Sequence, residues 1–225
     1  MTEVQKAMYL SYVKEIKRKI KETKNNIEIF SYLTKLRQLC LHPAMVIDDF
    51  IGNSGKFIAV HKLVSDNLKK KGKTLIFSQF TTVLDLFGEE LREKDIPFYT
   101  LTGATSSKER INLVNKFNKE NDVKVFLISL KAGGTGLNLT SANLVIHFDP
   151  WWNPAVESQA TDRAYRIGQR RQVQVVKLIA KESIEEKIIA LQEEKQELIE
   201  DILSTEDISK NIINKEVIED IFNNL

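Results

Sequence analysis

Residues 74–101, TLIFSQFTTVLDLFGEELREKDIPFYTL, contain the pattern that decides the fold. Thr74 to Phe77 is a short apolar run of the kind that forms a strand buried on both faces of a parallel sheet. Thr82 to Lys94 has helical periodicity, and Pro97–Leu101 is a returning strand. The alternation continues downstream. Ser107 to Asn118 reads as a helix with Ser106 or Ser107 as N-cap, and Val123–Ile128 and Asn143–Phe148 as strands. Pro154 to Ile167 reads as a helix opened by proline in its first turn, and Val173–Ala180 as a further strand. Repeated βα units predict an α/β domain with a mostly parallel sheet and helices on both faces.

Outward from this block the pattern is helical. Residues 3–24 place Val4, Met8, Tyr12, Ile16 and Ile20 at four-residue spacing, with Lys14, Lys17, Arg18, Lys21 and Lys24 largely off that stripe. Ile27 to Cys40 predicts a second helix, stopped before Pro43. Asp48 to Gly55 is loop, and Phe57 to Lys71 a helix with Gly72 as its C-cap. Ile184, Ile188, Leu191, Leu198 and Ile202 predict one long helix over 183–203, and Thr205 to Leu225 one or two short helices. The expected domains are a helical connector over 1–55, the α/β body over 56–181, and a helix with an acidic tail over 182–225.

The 225 residues are 42% hydrophobic and 28% charged, with 9 Gly and 4 Pro, which excludes a disordered or collagenous chain. One cysteine, Cys40, rules out a disulfide framework, and three scattered histidines argue against a zinc site. The uncharged stretch from Ala132 to His147 contains three Gly and three Thr or Ser, so it is no membrane span. No secretory signal opens the chain, and an intracellular protein is expected, in cytoplasm or nucleoid if prokaryotic and in the nucleus if eukaryotic. The net charge of +2 hides an asymmetry. Residues 1–181 hold 29 Lys or Arg against 18 Asp or Glu, whereas 182–225 hold 4 against 13. The basic body suits a polyanion, and solvated lysines on helix faces would give the same count.

Gly72-Lys73-Thr74 looks like the end of a phosphate loop, but Asn67 stands where that motif needs its first glycine, and a strand follows instead of a helix. No acidic DEAH-like string is present to hold magnesium. Three other segments sit at strand ends. SLKAGGTGLNLT, 129–140, follows a strand; Gly133, Gly134 and Gly136 allow close backbone approach, beside Lys131, Thr135 and Asn138. A plain glycine-rich turn would read alike. QATDRAYRIGQ, 159–169, would place Gln159, Arg163 and Arg166 on one helix face, where two guanidiniums suit a phosphate. Pairing of Asp162 with Arg166, and of Glu157 with Arg163, is the alternative. DPWWNP, 149–154, carries both tryptophans; one suits the core and the other is open to contact with sugars or bases.

The string AGGTGLNLTSANLVIHFDPWWNPAVESQATDRAYRIGQRRQVQVVKLIAKESIEEKI resembles motifs V and VI of the Swi/Snf-type DNA translocases, a branch of the superfamily-two helicases. TLIFSQF resembles motif IV, LTGATSSKERINLVNKFN the motif after it, and LTKLRQLCLHP the connector into the second lobe. The resemblance runs from about residue 30 to 200. It implies a RecA-like C-terminal lobe, with an N-terminal RecA-like lobe upstream that carries the phosphate loop and binds most of ATP and Mg2+. Arg163 and Arg166 would be arginine fingers, with Gln159 positioning. Gly134, Thr135 and Gly136 would contact the nucleotide or couple it to DNA. Ser78, Gln79, Thr102, Gly103, Lys131 and one of Trp151 and Trp152 would line a track for double-stranded DNA, and Arg110 would be structural. The helix at 183–203 resembles a brace across both lobes. Absence of long insertions suits a compact prokaryotic member. A stand-alone docking module and an RNA-directed helicase are the competing functions, and no membrane partner is expected.

Overall fold

The computed structural model describes residues 1–22, 25–133, 137–165 and 172–201. The chain divides into two compact units, one formed by Met1–Lys56 with the segment from Ile179 onward, the other by Phe57–Leu178.

The second unit is built on five parallel strands: β1 Thr74–Ser78, β2 Phe98–Leu101, β3 Val125–Ser129, β4 Leu144–His147 and β5 Gln174–Lys177. Their order is β2-β3-β1-β4-β5. β1 is central, with Ile76 opposite Leu127 on one side and Ile146 on the other. Every residue of β1, β3 and β4 is buried. Successive side chains of a strand point to opposite faces, so full burial means that both faces are covered. The edge strands β2 and β5 are only partly buried. Crossovers run through α4, Thr81–Glu93, and α5, Ser107–Lys119, while the short α6, Leu130–Gly133, follows β3 and α7, Pro154–Thr161, follows β4. α4 buries Val83, Leu84, Phe87 and Leu91 on one face. α5 is capped by Ser106, whose hydroxyl accepts from the Glu109 amide.

The helix α3, Gly55–Lys69, ends earlier than expected. Lys71, not Gly72, takes the left-handed conformation, with φ of 55°. Gly72 is required for space: a Cβ there would lie 2.2 Å from Asn67 Oδ1 and 2.5 Å from Asn143 Oδ1. These amides form a clamp under β1. Asn67 Nδ2 donates to Thr74 Oγ1 at 2.9 Å, Asn143 Nδ2 donates to Asn67 Oδ1 at 2.9 Å, and the Lys73 amide donates to Asn143 Oδ1 at 2.9 Å. Lys73 itself is buried and its ammonium donates to the carbonyls of Phe117 and Glu120 at the end of α5. The GKT string thus closes a helix C-terminus, where a cation is favoured.

In the first unit, α1 spans Glu3–Glu22, α2 Asn26–Leu41 and α8 Ile184–Asp201. The buried face of α1 consists of Gln5, Tyr9, Val13 and Ile16. The predicted stripe of Val4, Met8, Tyr12, Ile16 and Ile20 is out of phase with it by one residue over most of its length, and Val4 is 57% exposed. The cause is Gln5, a polar residue that is buried because its amide donates to the Leu39 and Cys40 carbonyls at 2.7 and 3.1 Å. α8 packs on α2. Its first amide, Ile184, donates to Tyr9 Oη at 2.8 Å, and the next residue, Glu185, forms a 2.7 Å ion pair with Lys56, both almost fully buried. Glu185 also accepts from the Ala180 amide at 2.7 Å. Burial, with Glu185 adding to it, pushes the Cys40 thiol far up, so it stays protonated.

Gly72→Ala must push the buried Asn67 amide and the half-buried Asn143 amide away and should destabilise the chain by about 2 kcal/mol or more, read as a lower urea midpoint. A second expectation concerns pH. His147 stacks on Phe77 with centroids 5.7 Å apart, and its Nε2 bonds Thr161 Oγ1 at 2.9 Å. Burial pushes its pKa down from 6.5 to about 4. The unfolded chain therefore takes up the proton first as pH falls, and stability should drop between about pH 6.5 and 4. The loss is about 2 to 3 kcal/mol from this residue. Urea titrations at pH 7 and 4.5 should show His147→Gln to be less sensitive to pH than the parent chain.

Candidate functional site

Because all five strands run the same way, their carboxyl ends share one edge of the sheet. After β1 the chain turns towards β2, and after β4 towards β5. Connections that diverge from neighbouring strands leave a crevice between them, the usual ligand position in open α/β sheets. Here a cleft of about 400 Å³ is lined by Gln79 and Phe80 after β1, Leu130 and Lys131 after β3, Trp151 after β4, and Val156 of α7.

Buried acids shape it. Asp149 is 1% exposed and its Oδ1 accepts the Ser78 hydroxyl at 2.5 Å and the Gln79 amide at 3.3 Å. The ends of β1 and β4 are thereby locked together. Ser78, expected on a DNA track, is fully buried and turns its hydroxyl inward; it holds the loop that presents Gln79. Glu157, in the first turn of α7, accepts the Trp151 amide at 2.6 Å and pairs with Lys177 of β5 at 2.6 Å. This fixes the backbone of the DPWWNP segment. Trp151 packs on the core and lines the cleft, while Trp152, also half-buried, is not among the lining residues. Neither Asp149 nor Glu157 is singled out as a site residue by sequence pattern; the signal for both is an acid flanking an aromatic pair just after an apolar strand.

Lys131 is exposed on α6. The Nε2 of Gln79 is buried at the cleft with no acceptor among the described residues. Thr102 and Gly103 follow β2 at the same edge but stand apart from the cleft lining. Their loop is organised by Arg110, whose guanidinium donates to the Thr105 carbonyl at 2.9 Å and the Thr102 carbonyl at 3.2 Å. Gly103 has open space around it.

The arginine segment differs from expectation. α7 ends at Thr161, with Asp162 as C-cap, so Gln159 and Arg163 do not share one helical face. Past Thr161 the chain tightens into turns, with the Arg163 and Ala164 amides donating to the Ala160 and Thr161 carbonyls three residues back, and the Arg163 carbonyl accepts the Leu139 amide at 3.0 Å. Arg163 is 3% exposed, whereas Gln159 is exposed. The same bond ties the arginine turn to the exit of the glycine-rich stretch. Arg166, Gly134, Thr135 and Gly136 lie outside the described residues. Among the described residues, no helix is long and apolar enough to cross a membrane.

The helicase conserved C-terminal domain family matches residues 55–168. An uncharacterized ATP-dependent helicase of Mycoplasma pneumoniae is 41% identical over 199 residues, which is 88% of this chain and 19% of that protein. The C-terminal domain of the Sulfolobus solfataricus SWI2/SNF2 ATPase superposes with a TM-score of 0.75 at 32% identity, covering 98% of this chain and 93% of that one. The core of that ATPase in complex with double-stranded DNA gives a TM-score of 0.78 at 36% identity, covering 98% and 48%. The chain spans about a fifth of the length of the curated relatives it matches. A parallel sheet of this order, a cleft built by motif residues at its carboxyl edge, and a solved counterpart matched along nearly its whole length lead to one assignment: the chain belongs to the helicase conserved C-terminal domain family, as a RecA-like lobe of the SWI/SNF type.

Proposed function

We propose that this chain is the second motor lobe of an ATP-dependent double-stranded-DNA translocase and completes a nucleotide site with a lobe that carries the phosphate loop. The observation that carries the reading is the Leu139 to Arg163 hydrogen bond, which joins the exit of the glycine-rich stretch to the arginine segment. A nucleotide held between two lobes needs this combination: backbone able to approach phosphates, and guanidiniums to stabilise charge that develops as the terminal phosphoryl group leaves. Gly134, Thr135 and Gly136 supply the first and Arg163 with Arg166 the second. Arg163, buried in the turn, anchors the segment that continues in sequence to Arg166, and Gln159 orients groups from α7. Mg2+ and most of the nucleotide belong to the first lobe.

The DNA track on this lobe is the cleft of Gln79, Lys131 and Trp151, flanked by Thr102, Gly103 and Trp152, with Ser78 as the buried support. An ammonium, an amide and an aromatic face meet phosphate and sugar without reading base edges, so binding is sequence-tolerant and salt-sensitive.

Alone, residues 1–225 should show no DNA-stimulated ATP hydrolysis in a phosphate-release assay; turnover well above background would overturn the two-lobe reading. In the full-length protein, Arg166→Ala should lower kcat by about 10³-fold, the usual scale for an arginine finger, while nucleotide binding is retained. An unchanged kcat would return Arg166 to a structural role.

A further inference from the structure

The first unit carries a second charged surface that the motor reading does not use. Lys14, Lys17, Arg18 and Lys21 follow one another on α1 at spacings of three, one and three, so they share one face of the helix. At 100° per residue that face lies roughly opposite the buried residues Gln5, Tyr9, Val13 and Ile16. Rotation of α1 about its axis is fixed by Gln5, bonded to the end of α2, and by Tyr9, bonded to the first amide of α8. The four cations are therefore held outward: Lys14, Arg18 and Lys21 are exposed and Lys17 is half-exposed. None of them forms an ion pair among the described residues; the acid within the stripe, Glu15, is taken by Lys19 at 2.5 Å. Attraction to the helix dipole accounts for a cation in the last turn, such as Lys21, but not for Lys14 or Lys17.

We infer that this face of α1 is a second contact for duplex DNA, binding the phosphate backbone independently of the cleft. The inference rests on the reading of the chain as a lobe that acts on double-stranded DNA, and adds a surface to it. The fit is one of length and charge. From residue 14 to 21 the helix advances about 10 Å, and that length of duplex axis carries about six phosphate charges. Four unpaired cations held outward over the same distance can meet several at once.

The test is duplex binding by the 1–225 chain, by fluorescence anisotropy with a labelled 30-base-pair DNA at several salt concentrations. A quadruple Gln variant at Lys14, Lys17, Arg18 and Lys21 should bind at least about tenfold more weakly at low salt. The slope of its log affinity against log salt should be shallower by about 0.9 for each phosphate that is no longer neutralised, about 2 to 4 in all. A control with the same charge removed at Lys62, Lys70, Lys116 and Lys119 should retain most of the parent slope. Equal weakening in the two variants, or an unchanged slope in the first, would overturn the proposal. Equal competition by double-stranded RNA of the same length would overturn its assignment to DNA. Lys131→Gln reports on the cleft separately: weaker binding with Lys131→Gln but not with the α1 variant leaves the motor reading standing and removes the second surface. Circular dichroism of the α1 variant checks that the helix is intact.

Discussion

Burial of β1 on both faces is the constraint from which the rest follows. Thr74 to Ser78 is hydrogen-bonded on both sides and shielded above and below, so its partners must be strands reached by crossovers. Parallel strands then deliver every following loop to one edge. Water, flexible backbone and polar side chains meet in the second unit chiefly at that edge and at the opposite one. The two edges are used differently. At the amino edge, Asn67, Asn143 and Lys73 satisfy one another and the end of α5, and Gly72 leaves no room for a side chain. At the carboxyl edge, Gln79 and Lys131 point polar atoms at a cleft.

The cleft keeps its shape because charge is buried behind it. A carboxylate inside a protein is stable only with several donors or a cation close by. Asp149 has a hydroxyl and an amide; Glu157 has an amide and an ammonium. Each of these acids bonds a segment from another element, so each loop conformation is tied to burial of a charge. Displacing the loop would expose an unsatisfied carboxylate to an apolar surrounding. Such a cost makes the arrangement preorganised rather than induced by ligand. The first unit uses the same device, with Glu185 held by Lys56 and the Ala180 amide.

What can be read from sequence follows the same physics. The strands are legible because central parallel strands are apolar runs, and each expected strand is present with ends shifted by up to three residues. The glycine-rich and aromatic motifs do follow strands. Local pattern misleads where one long-range hydrogen bond outweighs it. A helix through Arg163 satisfies the local periodicity, but the chain tightens into turns after Thr161 and the Arg163 carbonyl is held by the distant Leu139 amide. An apolar stripe on α1 is visible, yet its phase depends on Gln5 finding two carbonyls on α2. Gly72 reads as a cap, whereas the nearby amides of Asn67 and Asn143 are what exclude a side chain there. No window of local sequence contains these partners.

Burial of acids also alters the electrostatics that a charge count suggests. Asp149, Glu157 and Glu185 are each at most 1% exposed, and two of them are matched by lysines within 2.7 Å. Paired charges at that distance cancel for any ligand farther away than their separation. Screening in physiological salt reaches about 8 Å, so a polyanion senses only the charges left in water near it. For the basic body those are dominated by groups without a near acid, such as Lys131 at the cleft and the outward face of α1. A net charge of +2 therefore understates how basic the surface is where the fold leaves cations unpaired. The same accounting explains why exposed pairs such as Lys6 with Glu182 add little to either stability or attraction.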